Sequence, residues 1–480
     1  MPRLLISAAH KSSGKTTVSI GLCAALRARG LTVQTFKKGP DYIDPMWLTR
    51  ASGRTCRNLD PYLMGWDEIR GMFQRRSAGA DVRLVEGNKG LYDGLALDGS
   101  NSNAALAQHL DLPVVLVLDA RGMTRGIAPL ILGYQAFDRN VRIAGLILNN
   151  LGGARHEAKL RAVIEHYTDV PVLGAIQQDT RLEIIERHLG LMPSNEAGDA
   201  AARITAIGAA IGEGVDLDRL LDIARSAPPL GDDKTPRTCR LSPRSRLRIG
   251  VARDRAFGFY YADDLDAFEA AGADLVPIDT LRDPHLPDVD ALFIGGGFPE
   301  SFMVELEANA CLRAEIRAAI EAGLPVYAEC GGLMYLARTI SWRGRTCRMV
   351  GAIPGDAVMH DKPVGRGYVE LAETRVSPWP LSAGEPHTAL RAHEFHYSSL
   401  ENLDDGAEFA FDVRRGYGID GKHDGLVYRN VLASYVHRRS VGADDWAVRF
   451  VAFVRGVRRS ALGSAADVRS TVVPERAHAG

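Results

Sequence analysis

The chain has 480 residues, a length that predicts two or three domains rather than one. Its 58 Lys and Arg residues nearly balance its 59 Asp and Glu residues, and the formal charge of −1 excludes a general attraction to nucleic acid or to an anionic membrane surface. Hydrophobic residues make up 46% and charged residues 24% of the chain, which excludes collagen-like and intrinsically disordered proteins.

The cysteines and the apolar runs indicate the compartment. The six cysteines lack CxxC spacing, so we expect neither a zinc site nor a disulfide framework. The N-terminal apolar run is too short for a signal peptide, and no stretch approaches the roughly 20 apolar residues that span a bilayer. We therefore expect a cytoplasmic protein that binds neither nucleic acid nor a membrane.

From the start to about residue 176, the chain alternates between short apolar runs and helical patterns. The runs lie at 4–8, 32–36, 82–86, 114–119, 143–149 and 172–176. Strands that are apolar on both faces and separated by helices are typical of a buried parallel sheet. We therefore predict a first α/β domain over residues 1–225.

A proline-rich and charged stretch, residues 226–246, predicts a linker. A second α/β series follows, and we predict a domain over residues 247–458. Its strands are expected at 248–252, 275–278, 291–294 and 326–329, and its helices at 263–271 and 302–322. Shorter strands after residue 345, ending in 431–436, predict a partly antiparallel extension of the same sheet. Residues 459–480 lack apolar periodicity and predict a disordered tail.

The segment from Ala9 to Thr17 follows the first strand and precedes a helix. It matches the phosphate-loop pattern GxxxxGK[ST], except that Ala9 replaces the first glycine. Such a loop binds phosphate through backbone N–H groups, a lysine and a hydroxyl that ligates Mg²⁺. The residues that we expect to bind ATP are Ser13, Gly14, Lys15, Thr16, Thr17 and Lys37.

Carboxylates near the ends of two predicted strands are candidates for the metal site. Asp41 and Asp44 follow the second strand, and Glu86 ends the third. Because the carboxyl ends of parallel strands meet in the ligand crevice, we predict Mg²⁺ ligation by Thr16, Asp44 and Glu86. Capping and turn chemistry is the alternative for Asp44 and for Asp93.

Cys330 lies between a predicted strand and a predicted helix and is followed by two glycines. A sharp turn of this kind exposes a nucleophile, and a helix N-terminus favours the reactive thiolate. The predicted oxyanion donors are Gly296, Gly297 and Gly331. His437 ends a later strand and is the candidate base, and the spacing alone leaves His393 and His396 as rivals.

The combined motifs resemble those of the cobyrinic acid a,c-diamide synthase family over nearly the whole chain. They are the phosphate loop and the segments 38–45, 57–60, 85–87, 91–94, 295–300, 328–332 and 432–435. The resemblance implies a dethiobiotin-synthetase-like ATP domain joined to a class I glutamine amidotransferase domain with a flavodoxin-like α/β fold. It also implies Cys330 as nucleophile, His437 as base, and Asp41, Tyr42 and Asp93 in substrate binding or acyl transfer. The implied partners are ATP with Mg²⁺, L-glutamine and a tetrapyrrole carboxylate, and a homodimer is expected.

Two positions depart from the expected pattern. Arg439 stands where class I amidotransferases carry an acid two residues after the catalytic histidine, so we expect a Cys–His dyad. Lys38 replaces a hydrophobic residue beside the predicted nucleotide site. A sirohaem or sirohydrochlorin amidase of sulfur metabolism is an alternative function. Two further alternatives are a ParA-like ATPase with an inactive appended domain and a stand-alone cysteine hydrolase.

Overall fold

The computed structural model describes residues 1–231 except 183, 185, 188 and 189, and then residues 246–379, 389–442 and 444–470. The chain forms two compact units, Met1–Arg237 and Thr238–Gly480. The division between them falls inside the predicted linker, of which residues 232–245 lie outside the described part of the chain. Among the described residues, no helix combines the length and the apolar character needed to cross a bilayer.

The first unit is built on a seven-stranded sheet in the order β3-β2-β4-β1-β5-β6-β7. Every strand pairing in this sheet is parallel, as predicted from the doubly apolar runs. The strands are β1 (Arg3–Ala8), β2 (Val33–Lys38), β3 (Arg57–Leu59), β4 (Val82–Glu86), β5 (Val114–Asp119), β6 (Ile143–Leu151) and β7 (Val172–Gln177), followed by the short pair β8 (Glu186–Arg187) and β9 (Gly190–Leu191). The helices are α1 (Lys15–Ala28), α2 (Ile43–Ser52), α3 (Trp66–Arg76), α4 (Asn103–His109), α5 (Ile127–Phe137), α6 (Ala154–Tyr167), α7 (Ala200–Gly214) and α8 (Leu217–Arg225).

The second unit is built on a nine-stranded sheet in the order β12-β10-β13-β15-β24-β23-β22-β19-β20. Its first five strands are parallel in the flavodoxin-like order, and the other four extend the sheet in antiparallel fashion. This confirms the predicted flavodoxin-like α/β fold and the predicted antiparallel extension of the same sheet. These strands are β10 (Leu247–Ala252), β12 (Ala273–Ile278), β13 (Ala291–Ile294), β15 (Val326–Glu329), β19 (Gly365–Glu373), β20 (Leu390–His396), β22 (Glu408–Arg415), β23 (His423–Tyr428) and β24 (Val431–Ser434).

Among its described residues, the second unit also contains two smaller sheets and five α-helices. The small sheets contain β11 (Phe257–Phe259) with β14 (Gly296–Gly297), and β16 (Thr339–Trp342), β17 (Arg345–Arg348), β18 (Asp356–Met359) and β21 (Ser398–Glu401). The helices are α9 (Ala262–Ala270), α10 (Met303–Ala308), α11 (Ala310–Glu321), α12 (Gly331–Leu336) and α13 (Trp446–Ser470). The predicted single helix over 302–322 is thus two helices that meet at Asn309, whose side chain donates to the carbonyl oxygens of Thr280 and Asp283.

Helix α13 corrects the prediction of a disordered tail from residue 459. Trp446, Phe450 and Val454 are buried at helical spacing and anchor the first half of α13 in the core of the second unit. The helix continues to Ser470, because alanine-rich and arginine-containing sequence favours a helix without an apolar stripe. The prediction is therefore wrong for 459–470, and residues 471–480 lie outside the described residues.

Candidate active sites

The phosphate loop connects β1 to α1, as the motif predicts. Gly14 has a φ of 82°, and a Cβ atom there would lie 2.1 Å from Nδ2 of Asn149. Only glycine fits this position, since both the left-handed backbone and the close side chain exclude a Cβ. Nδ2 of Asn149 donates to the carbonyl oxygen of Ser13 at 3.0 Å. Thr16 and Thr17 lie in the first turn of α1, directly after Lys15.

Four side chains from separate segments form one cluster beside the loop. The hydroxyl of Thr16 lies 2.7 Å from Oε1 of Glu86 and 3.2 Å from Oδ2 of Asp44. The Lys37 ammonium group lies 2.9 Å and 2.5 Å from the same two carboxylate oxygens. Lys37 and Glu86 are register partners on the adjacent strands β2 and β4, which is why they meet. Because both carboxylates engage Lys37, its contact with ATP stays a prediction.

Burial and charge together set the pKa values in this cluster. Burial lowers the pKa of Lys37, but Asp44 and Glu86 outweigh it and raise that pKa well above its ordinary value. Burial raises the pKa of Asp44, yet the charges of Lys37 and Lys15 outweigh it and leave the pKa below its ordinary value. Burial and the neighbouring Asp44 raise the pKa of Asp41 to about 7. Asp44 is thus held in its ionised form.

The predicted metal ligands Thr16, Asp44 and Glu86 meet at this cluster. The second carboxylate oxygen of Glu86, Oε2, is buried and has no hydrogen-bond partner in the described part of the chain. Hydroxyl and carboxylate oxygens are the donors that Mg²⁺ prefers, and a buried carboxylate oxygen without a donor is costly unless a cation meets it. These residues therefore fit a magnesium ion.

The other predicted substrate residues lie around the same edge of the sheet. Asp41 accepts the backbone N–H of Asp44 through Oδ1 at 3.1 Å, and its Oδ2 lies 3.7 Å from the Lys37 ammonium group. Tyr42 is nearly buried just before α2. Asp93 accepts the N–H of Gly90 at 2.8 Å, which is the turn interaction that the sequence left as an alternative.

Lys38, the unexpected lysine, is also buried at this edge. Burial is the main cause that lowers the pKa of Lys38 to about 8, while the charge of Asp60 opposes it and the charge of Lys89 acts in the same direction as burial. Sequence analysis did not identify Asn149 as a contact of the phosphate loop. The signal for this contact in the sequence is that Asn149, an amide side chain, ends the predicted strand 143–149.

Cys330 occupies a strained turn between β15 and α12. Its φ of 48° and ψ of −101° are unusual for a residue other than glycine, and its N–H donates to the carbonyl oxygen of Ser434 at 2.7 Å. The neighbouring β24 therefore holds the turn in place. The predicted strand–turn–helix geometry is present, and 7% of the cysteine surface is exposed.

His437 is the histidine that the fold brings to Cys330. The two side chains are hydrogen-bonded, and Nδ1 of His437 lies 3.4 Å from Oε2 of Glu329. Burial lowers the pKa of His437, but the hydrogen bonds to Cys330 and Glu329 outweigh it and raise the pKa to about 10. The predicted dyad did not include this carboxylate.

The two rival histidines have other neighbours. The ring of His393 stacks on that of His437, with ring centroids 5.0 Å apart. The ring of His396 stacks on Tyr435 at 4.1 Å, and its Nδ1 lies 2.8 Å from the carbonyl oxygen of Ser398. The fold thus brings His437 to Cys330, and its role as the base stays a prediction.

The two predicted glycine loops come together at this site. A Cβ on Gly296 would lie 2.6 Å from Cε1 of His437, and a Cβ on Gly331 would lie 3.0 Å from the backbone nitrogen of Gly297. Backbone N–H groups of both loops are therefore close to the histidine and the cysteine turn. Arg439 instead points to Asp263, with which it forms a buried ion pair at 2.5 Å.

Comparisons with known proteins match both units. Residues 5–191 match the family described as the CobQ/CobB/MinD/ParA nucleotide binding domain, and residues 248–442 match the CobB/CobQ-like glutamine amidotransferase domain. A solved structure of PurLQS from Thermotoga maritima superposes with a TM-score of 0.35 over 44% of this chain and 99% of that chain, at 18% identity. The fold and the two family matches define a nucleotide-binding unit followed by a glutamine amidotransferase unit.

Two relatives extend the match to nearly the full chain. The cobyrinate a,c-diamide synthase of Magnetococcus marinus is 46% identical over 459 residues, which cover 95% of this chain and 97% of that protein. The enzyme of the same name from Methanosarcina acetivorans is 44% identical over 93% of this chain and 94% of that protein. The chain belongs to the cobyrinate a,c-diamide synthase family. The sirohaem or sirohydrochlorin alternative is not favoured by these relatives.

Proposed function

We propose that the protein amidates the a and c side-chain carboxylates of cobyrinate, with ATP and glutamine as co-substrates. The observation that carries the proposal is the presence of two reaction centres in one chain. One is the phosphate loop with Lys15 and the Thr16, Asp44 and Glu86 cluster. The other is Cys330 hydrogen-bonded to His437.

The first centre activates the carboxylate. A carboxylate oxygen attacks the γ-phosphorus of ATP, and the bond to the β,γ-bridging oxygen breaks to give an acyl phosphate and ADP. Lys15, whose ammonium group lies 3.6 Å from Glu86, neutralises charge on the transferred phosphoryl group. Bound at Thr16, Asp44 and Glu86, Mg²⁺ would neutralise the phosphate charge and align the β- and γ-phosphates. We assign Asp41, Tyr42 and Asp93 to binding the reacting side chain.

The second centre releases ammonia from glutamine. The Cys330 thiolate attacks the side-chain amide carbon, and backbone N–H groups of Gly296, Gly297 and Gly331 are placed to stabilise the oxyanion. The amide nitrogen takes a proton from His437 and leaves as ammonia, which gives a thioester. Water then hydrolyses the thioester to glutamate and restores the thiol.

Ammonia completes the reaction at the first centre. Its lone pair attacks the acyl carbon, phosphate leaves, and a proton is lost to give the amide. Neutral ammonia is the reacting species because ammonium has no lone pair to donate. Both centres are therefore needed when glutamine is the nitrogen donor. The homodimer and the cytoplasmic location stay predictions.

Mass spectrometry of cobyrinate incubated with the protein, ATP, Mg²⁺ and amide-¹⁵N-glutamine tests the proposal. We expect two successive replacements of OH by ¹⁵NH₂, each accompanied by one ADP and one glutamate. Sirohydrochlorin and a fully amidated corrinoid are the comparison substrates. Amidation of sirohydrochlorin but not of cobyrinate, or no ADP with either, would overturn the assignment.

A further inference from the structure

Glu329 is a fully enclosed carboxylate that ends β15, directly before the cysteine. It is 2% exposed. Its Oε1 accepts the hydroxyl of Tyr327 at 2.8 Å and the backbone N–H of Arg438 at 3.0 Å. Its Oε2 lies 3.4 Å from Nδ1 of His437. Two donors on one oxygen fix the carboxyl plane and leave the second oxygen facing the imidazole ring.

Class I amidotransferases carry an acid two residues after the catalytic histidine, but Arg439 occupies that position here and points away from His437. Arg439 pairs with Asp263 through a contact of 2.5 Å, and both side chains are buried. The neighbouring Asp264 accepts the N–H of Ser440 at 2.6 Å. The carboxylate of Glu329 contacts the ring of His437 instead.

A thiol and a second ring also lie against His437. Cys330 hydrogen-bonds to His437 from the turn, and the uncharged ring of His393 stacks on one face of the imidazole. His393 in turn has the Tyr261 hydroxyl 3.2 Å from its Nδ1. The charge of an imidazolium at His437 is therefore opposed locally by Glu329 and by the thiolate of Cys330 itself.

We infer that Glu329 is the positioning residue of the glutaminase site, which holds Nδ1 of His437 and directs its Nε2 to the Cys330 thiol. This inference rests on the proposed function, since it assigns a role within the glutaminase step. Glu329 ends β15, directly before the nucleophile Cys330, whereas His437 follows β24. The carboxylate therefore comes from the strand next to the nucleophile and not from the segment that carries the histidine.

The arrangement determines where the proton moves. With Nδ1–H directed to Glu329, Nε2 has the free lone pair that accepts the Cys330 proton. The resulting imidazolium lies between a thiolate and a carboxylate, and it later donates the same proton to the departing amide nitrogen. The raised pKa of His437 agrees with this stabilisation of the imidazolium.

The test replaces Glu329 with glutamine, which retains an oxygen for Tyr327 and Arg438 but removes the charge. Iodoacetamide labelling of Cys330 is followed against pH on its own peptide by mass spectrometry. We expect the labelling midpoint to rise by about 1–3 pH units, because an opposite charge at this distance stabilises the ion pair to that extent. Glutamine hydrolysis at pH 7 should fall by roughly 100-fold or more.

Glu394→Gln is the matched control in the same unit. Glu394 is equally buried, lies 3.7 Å from His396, and accepts the backbone N–H groups of Tyr417 and Gly418. The Glu394→Gln variant therefore lacks a buried charge beside His396 and keeps the carboxylate beside His437. We expect its labelling midpoint to match that of the wild type.

The outcomes separate this inference from the proposed function. If the wild type hydrolyses glutamine and Glu329→Gln keeps ammonia-dependent amidation but has an unchanged labelling midpoint, the positioning role is overturned and the function stands. If the wild type releases no glutamate, the proposed function itself fails. Should Glu329→Gln not fold, Glu329→Asp decides: its shorter carboxylate should give a smaller upward shift, and an unchanged midpoint with reduced hydrolysis overturns the inference.

Discussion

His393 and His437 face each other across an antiparallel bridge. Each donates its backbone N–H to the carbonyl oxygen of the other, at 3.2 Å and 2.8 Å, and their rings stack at an interplanar angle of 18°. Burial lowers the pKa of His393 well below its ordinary value, and the positive charges of His437 and Arg439 lower it further. His393 therefore packs against the glutaminase histidine as a neutral ring.

This neutral histidine predicts acid sensitivity of the second unit. The folded-state pKa lies below the unfolded one, so its contribution to stability is present above about pH 6.5 and is lost as the pH falls towards the folded-state pKa. His393→Phe keeps the stacking and removes the titration. The free energy of unfolding in urea is measured at pH 7.5 and at pH 5.5. Between these two pH values it should fall by up to about 1.4 kcal/mol more in the wild type than in the variant. Equal losses would contradict the prediction.

Cys330→Ala should separate the two nitrogen sources. The variant lacks the nucleophile, so glutamine-dependent amidation should disappear, while amidation with added ammonia should persist because the phosphate loop is intact. Product formation with each nitrogen source is the measurement. A folded variant that loses both activities equally would show that the two centres are not separable.

Lys15→Ala should abolish amidation with either nitrogen source. The Lys15 ammonium group lies at the end of the phosphate loop, 3.6 Å from Glu86, and its charge is needed for phosphoryl transfer. We expect ADP formation to fall by about 100-fold or more. Lys159→Ala, at an exposed position of α6, is the control for loss of a lysine. Retained amidation in Lys15→Ala would contradict this role of Lys15. Glutamine hydrolysis by Lys15→Ala with no amidation from either nitrogen source by the wild type would favour a stand-alone cysteine hydrolase.

Gly296→Ala should impair only the glutaminase centre. The added Cβ would lie 2.6 Å from Cε1 of His437, so the ring must move away from its present position. Because a displacement of about 1 Å can cost roughly 100-fold, we expect a fall of that size in glutamine hydrolysis. Ammonia-dependent amidation should not change.

Gly456→Ala in α13 is the matched control for that substitution. A Cβ there meets no atom within 4 Å, and replacing an exposed helical glycine by alanine should stabilise the unit by about 0.8–1 kcal/mol. Glutamine hydrolysis by this variant should equal that of the wild type. A parallel loss in both variants would show that the position of His437 is not the cause.

Local sequence patterns predicted much of the fold and, in each site, the part that is formed by one contiguous segment. The strands β4, β5, β13 and β15 lie where the apolar runs place them, since a run buried on both faces is a property of adjacent residues. The phosphate loop and the turn at Cys330 are short contiguous segments as well. The prediction failed at 459–470, where helix propensity and not periodicity determines the structure.

The sequence by itself determined that one chain carries a phosphate loop and a cysteine turn on parallel sheets, because each feature is encoded within about a dozen neighbouring residues. Only the tertiary structure decided which side chains complete them. Pairing of β2 with β4 places Lys37 against Glu86, and pairing of β15 with β24 brings His437, and not His396, to Cys330 and Glu329. Strand order and register create these contacts between residues far apart in the chain, and the spacing along the sequence does not encode them.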